Sequence, residues 1–133
     1  MASGKAATPM IAIVEDDESV REATLSLFRS AGFCPEGFTC PDEFLRADTD
    51  RFDFLVADVN MPGMTGLDLH GELVRSGHPI PTILITAYPD ECVRQRALKA
   101  GVVSYLTKPF DEQELIDCIQ TALSPDNPRS PSS

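Results

Sequence analysis

Short apolar runs alternate along this chain with stretches whose apolar residues recur every three or four positions. Residues 10–14 (Met-Ile-Ala-Ile-Val) are continuously apolar and read as a strand buried on both faces. Residues 17–31 follow at helical spacing, with Val20, Ala23, Leu27 and Ala31 on one face. Residues 33–38 make a weaker second strand carrying Pro35 and Gly37, and a Pro there belongs at a sheet edge. A short helix over 41–47 opens on Pro41. Strands over 52–57, 82–86 and 102–106 and helices over 66–76, 89–100 and 111–123 complete the alternation. Gly101 stops the helix over 89–100, and Asp111 with Glu114 has the spacing of a capping box.

Five strands alternating with five helices predict an α/β domain around a parallel sheet. Right-handed crossovers restrict its topology. With the Pro-bearing second strand at an edge, the flavodoxin-like, doubly wound order 2-1-3-4-5 fits. Ligands of such sheets bind beyond the carboxyl ends of the strands, where the strand order reverses. Here that is the crevice between strands one and three, which Glu15, Asp16 and Asp58 should flank.

Bulk properties narrow the classes of function. A length of 133 residues and 42% apolar content suit one domain with one core. The net charge of −10 argues against binding nucleic acid through its phosphates. No segment approaches the roughly 20 apolar residues of a membrane span, and the N-terminus lacks the apolar stretch of a secretory signal. Residues 1–8 read as a flexible N-terminus, 9–123 as the domain, and 124–133, rich in Ser and Pro, as a disordered tail. Cys34, Cys40, Cys92 and Cys118 lack metal-ligand spacing and read as free, buried thiols, in keeping with a reducing cytoplasm. His70 and His78 read as surface residues without a role.

The chemistry lies at the strand ends. Glu15-Asp16-Asp17-Glu18 has two readings: acids favouring a helix N-terminus, or carboxylates for a cation. The first suits Asp17 and Glu18, and the second suits Glu15 and Asp16 at the strand end. Mg²⁺ takes one or two carboxylates, several waters and a phosphate oxygen. Asp58 closes the third strand before a Pro-Gly loop and reads as a turn initiator or a functional acid. Three converging carboxylates repel unless a cation or a proton intervenes, and a carboxylate can itself be a phosphoryl nucleophile. Thr86 and Lys108, at the ends of strands four and five, suit strand propensity and a surface ammonium when taken singly. Together they supply a hydroxyl and a positive charge for phosphoryl oxygens.

Ile-Val-Glu-Asp-Asp-Glu-Ser-Val-Arg, Asp-Val-Asn-Met-Pro-Gly-Met-Thr-Gly-Leu, Leu-Ile-Thr-Ala-Tyr and Leu-Thr-Lys-Pro-Phe occur in this order. In order and spacing they resemble the motifs of the receiver domains of two-component response regulators, most of all the branch of the nitrogen-fixation regulators. The resemblance covers about residues 9–123 and implies a signalling phosphoacceptor that assists its own phosphorylation and is not otherwise an enzyme. It implies Asp58 as the acceptor, with the phosphoryl group coming from a sensor histidine kinase or a histidine phosphotransfer protein. It further implies Mg²⁺, for which Mn²⁺ can substitute, held by Glu15, Asp16, Asp58 and the backbone carbonyl of Asn60. Lys108 would pair with the phosphoryl group, Thr86 and Tyr105 would form the switch, and the Lys108-Pro109 bond would be cis. Output would pass to a downstream protein or a second copy through the surface of residues 89–123, and not to DNA or a membrane.

Three other readings compete. A haloacid dehalogenase-type phosphatase wants an Asp two residues after its nucleophile, where Asn60 stands. A dinucleotide-binding domain wants a Gly-rich turn after strand one, where the acidic run stands. A receiver-like interaction module that is never phosphorylated would need none of these strand-end residues.

Overall fold

A computed structural model describes residues 8–61 and 63–123. The expectations for 1–8 and 124–133 fall, but for Thr8, outside the described residues. The chain alternates β1 (Met10–Val14), α1 (Glu18–Ser30), β2 (Cys34–Phe38), α2 (Pro41–Arg46), β3 (Phe54–Asp58), α3 (Gly66–Arg75), β4 (Thr82–Thr86), α4 (Glu91–Lys99), β5 (Ser104–Thr107) and α5 (Glu112–Leu123). The sheet is parallel, in the order β2-β1-β3-β4-β5. This is the flavodoxin-like topology expected, with Pro35 and Gly37 on an edge strand. A single 3-10 turn at Thr49–Arg51, which the pattern does not show, leads into β3.

Alternation along the strands divides the core into two layers. Ala12, Val14, Leu55, Ala57 and Leu84 face one way, against Phe44 of α2, Leu69 and Leu73 of α3 and Ala97 of α4. Ile11, Ile13, Phe54, Val56, Ile83 and Ile85 face the other way, against Leu25 and Phe28 of α1 and Leu115 and Ile119 of α5. Both faces are covered, which is why the strands are apolar throughout. Phe38, Phe44 and Phe52 pack their rings within 5.8 Å of one another below β2.

Several expectations need correction. Helix α1 buries Thr24, Leu25 and Phe28, leaving Val20 and Leu27 half-buried and Ala23 exposed. Larger side chains claim the sheet, and Thr24 is tolerated there because its Oγ1 donates to the Val20 carbonyl at 2.8 Å. Helix α4 buries Ala97, leaving Val93 half-buried and Ala100 exposed. No cysteine is buried: Cys34 and Cys92 are exposed, and Cys40 and Cys118 are half-buried, all four as free thiols. His70 is buried, not a surface residue, because it lies one helical turn after Gly66 on the packed face of α3. Burial lowers its pKa, and its Nδ1 has no partner among the described residues. His78 is exposed, with Nδ1 2.7 Å from Asp50. Asp111 accepts from the Gln113 N–H at 2.9 Å, so α5 is capped without the reciprocal Glu114 bond. A true capping box opens α3 instead, where Thr65 and Asp68 exchange side chain-to-backbone bonds of 3.1 and 3.3 Å.

Candidate functional site

Four strand ends supply the site. Glu15 is the first residue past β1, and its N–H donates to the Phe38 carbonyl at 3.0 Å, extending the β1–β2 pairing by one rung. Asp58 is the last residue of β3. Both are buried, while Asp16 is exposed at the mouth of the crevice. Carboxylate oxygens of Glu15, Asp16 and Asp58 lie within 4.8 Å of one another. Asp17 is directed elsewhere: its Oδ1 accepts from the Val20 N–H at 3.1 Å and caps α1.

Lys108, one residue past β5, reaches across the sheet edge. Its Nζ donates to Asp58 Oδ2 at 2.9 Å and to Glu15 Oε1 at 3.2 Å. The Lys108-Pro109 peptide is cis, as expected. Asn60 donates its N–H to Asp58 Oδ1 at 2.9 Å, and its Oδ1 accepts a short bond from Thr86 Oγ1 at the end of β4. Thr86 Oγ1 in turn accepts from the Tyr88 N–H at 2.9 Å. Tyr105 stands apart from the carboxylates. Its hydroxyl accepts from the Asp90 N–H at 3.3 Å, at the start of α4.

Burial and the neighbouring Asp58 carboxylate push the Glu15 pKa up to about 7, although the Asp17 N–H and the Lys108 charge pull it down. Burial opposes the charge on Lys108, but its bond to Asp58 and the two carboxylate charges outweigh this and raise its pKa. One ammonium among three carboxylates leaves the crevice short of positive charge, and hard oxygen donors at this spacing suit a divalent cation such as Mg²⁺. The arrangement therefore fits a small oxygen-binding cation beside a carboxylate whose outer oxygen already meets a cationic donor.

Glu15, Asp16, Asp58, Asn60, Thr86 and Lys108 thus form one connected cluster. Two participants were not singled out from the sequence. Gly66 brings the first turn of α3 against the Asp58 backbone, where an added Cβ would lie 2.6 Å from the Asp58 carbonyl oxygen. Arg21 donates from Nη1 to the Glu15 carbonyl at 2.9 Å.

The sequence matches the response regulator receiver domain family over residues 11–120, and the chain belongs to that family. Nodulation protein W of Bradyrhizobium diazoefficiens is 41% identical over 121 residues, which are 90% of this chain and 53% of that protein. The solved structure of response regulator StyR is 43% identical with a TM-score of 0.81, covering 88% of this chain and 60% of that one. FixJ-N is 31% identical with a TM-score of 0.78, covering 86% of this chain and 92% of that one. The expected likeness to the nitrogen-fixation regulators is therefore found. This chain spans about half the length of the curated relative it matches. A receiver domain is a phosphorylated signalling unit of two-component systems, and phosphatase and dinucleotide-binding readings are set aside by that membership.

Proposed function

We propose that Asp58 is the phosphoacceptor of this receiver domain, taking its phosphoryl group from a phosphohistidine on a sensor kinase or a phosphotransfer protein in the cytoplasm. The observation that carries this is the position of Asp58, the buried carboxylate at the reversal point of the sheet, with Lys108 Nζ 2.9 Å from its Oδ2. An Asp58 oxygen attacks phosphorus, the bond from phosphorus to the imidazole nitrogen breaks, and that nitrogen keeps the electron pair and takes a proton. Lys108 meets charge on the transferred oxygens, and the Asn60 N–H holds the non-attacking oxygen of Asp58 in place. Mg²⁺, or Mn²⁺ in its place, held by Glu15, Asp16, Asp58 and the Asn60 carbonyl, would neutralise the remaining phosphoryl charge. Such a preorganised site also supports slow transfer from small donors such as acetyl phosphate. Thr86 and Tyr105 relay the modification to α4, and the output goes to a protein partner or a second copy through residues 89–123.

Incubation with labelled acetyl phosphate and Mg²⁺ tests this reading. Wild-type protein should take up an acid-stable, base-labile label that Asp58→Asn abolishes. Full labelling of Asp58→Asn would move the acceptor elsewhere.

A further inference from the structure

We infer that Arg21 is a positioning residue for the cation site and that Gly37 is a glycine in order to admit it. This rests on the reading of Glu15 as a cation ligand. Glu15 lies past the end of β1, so the pairing that satisfies strand backbone stops there. Its N–H still finds Phe38 at 3.0 Å. Its carbonyl is held by Arg21 Nη1 at 2.9 Å, a bond between a helix side chain and a strand-end backbone six residues earlier. Helical side chains lean toward the N-terminus of their helix, which carries Arg21 back over the first turn of α1 to β1. The Arg21 main chain is tied into the same place, since its N–H donates to the Asp17 carbonyl at 2.9 Å. Asp17 in turn donates its N–H to Glu15 Oε2 at 3.2 Å.

The Arg21 stem passes over Gly37. A Cβ at Gly37 would stand 3.2 Å from Arg21 Cδ, 3.3 Å from its Cγ and 3.1 Å from Leu25 Cδ1. Gly37 is not in the left-handed region, so backbone conformation does not call for glycine. A glycine weakens a strand, and here close approach of the arginine stem together with Leu25 explains it. Gly37 pairs with Ile13 and Phe38 with Val14, so β2 both makes room for the clamp and holds the other side of Glu15. The Glu15 backbone is thereby fixed at N and O. Its carboxylate is fixed by the Asp17 N–H and the Lys108 ammonium.

Mg²⁺ titration by calorimetry tests this, with backbone carbon shifts of Glu15 read by NMR. Arg21→Met keeps the aliphatic stem and removes the donor. It should raise the Mg²⁺ dissociation constant by about 10-fold, as loss of a group that orients a metal ligand does, and should move the Glu15 carbonyl resonance. In a Glu15→Gln background the same change should add nothing to the loss. Gly37→Ala should weaken Mg²⁺ binding while leaving the arginine chemically intact. It should have no further effect on Mg²⁺ affinity once Arg21 is Met, although Leu25 and the retained stem still crowd the added methyl and lower the melting temperature. Wild-type Mg²⁺ affinity in Arg21→Met, with only a lowered melting temperature, would overturn the inference and leave the cation reading standing. Failure of the wild-type protein to bind Mg²⁺ would overturn both.

Discussion

Glu15 titrates near neutrality because it is buried against a second acid. Its pKa stands at about 7 in the folded protein against an ordinary 4.5. Between those values the native state holds more protons than the unfolded chain, so rising pH costs stability. The Glu15 contribution is therefore complete below pH 4.5 and is lost as pH climbs through 7. In EDTA, the gain in melting temperature from Glu15→Gln should be small at pH 5 and grow steadily to pH 8. Mg²⁺ should raise the wild-type melting temperature at pH 8, since a cation favours the ionised acid. A gain from Glu15→Gln that is independent of pH would remove Glu15 as the titrating group. The carboxylates, Thr86 and Lys108 were legible because each polar residue follows an apolar strand. Arg21, Gly66 and His70 were not. Their neighbours come from α1 reaching β1, α3 reaching β3, and a helical face whose burial the local pattern leaves open.

At the scale of elements, the loop from β4 to α4 is held at two points. Thr86 takes the Tyr88 N–H and Tyr105 takes the Asp90 N–H, while Asp90 caps α4 through the N–H groups of Cys92 and Val93. Thr86 also bonds Asn60, so one hydroxyl joins the loop after β3 to the loop after β4. A phosphoryl oxygen on Asp58 would compete with the Asn60 amide for that hydroxyl. Charge-assisted acceptors are the stronger ones. Thr86→Ala should therefore accept a phosphoryl group at close to the wild-type level but fail to pass it on. With beryllofluoride as the mimic, wild-type NMR shifts should run from the loop after Asp58 through Tyr88 to Asp90 and into α4. In Thr86→Ala they should stop at the loop after Asp58, and shifts of equal extent in both proteins would exclude this relay. The order of the five strands was readable from alternation, the handedness of crossovers and the edge position that Pro35 demands. Element ends were less so: β5 begins at Ser104 instead of 102 and α4 at Glu91 instead of 89. Capping decides the helix end: Asp90 starts α4 by accepting two N–H groups.

The whole molecule carries a net charge of −10, yet its basic residues are not evenly spread. Helix α4 exposes Arg94, Arg96 and Lys99, whereas α5 exposes Glu112, Glu114 and Asp117 with Asp111 before it. Beside β5 a groove of about 560 Å³ runs between Val103 and Ser104 on one side and Asp111, Glu114, Asp117 and Cys118 on the other. Arg94 is partly satisfied already, with Nε 3.1 Å from Glu91 on its own helix, so among the described residues Arg96 and Lys99 are the freer cations of α4. Opposite charges on α4 and α5, which pack on opposite faces of the sheet, suit a two-fold contact in which α4 of each copy meets α5 of the other. Exposed ion pairs contribute little each, so dimerisation needs the Thr86–Tyr105 relay to reshape the surface as well. Sedimentation should then show a monomer without beryllofluoride and a dimer with Mg²⁺ and beryllofluoride. Raising the salt should weaken that dimer through screening, and Arg96→Glu should abolish it without lowering phosphorylation of Asp58. A monomer in both states, with no protein partner retained specifically by the activated form, would leave this surface without a signalling role.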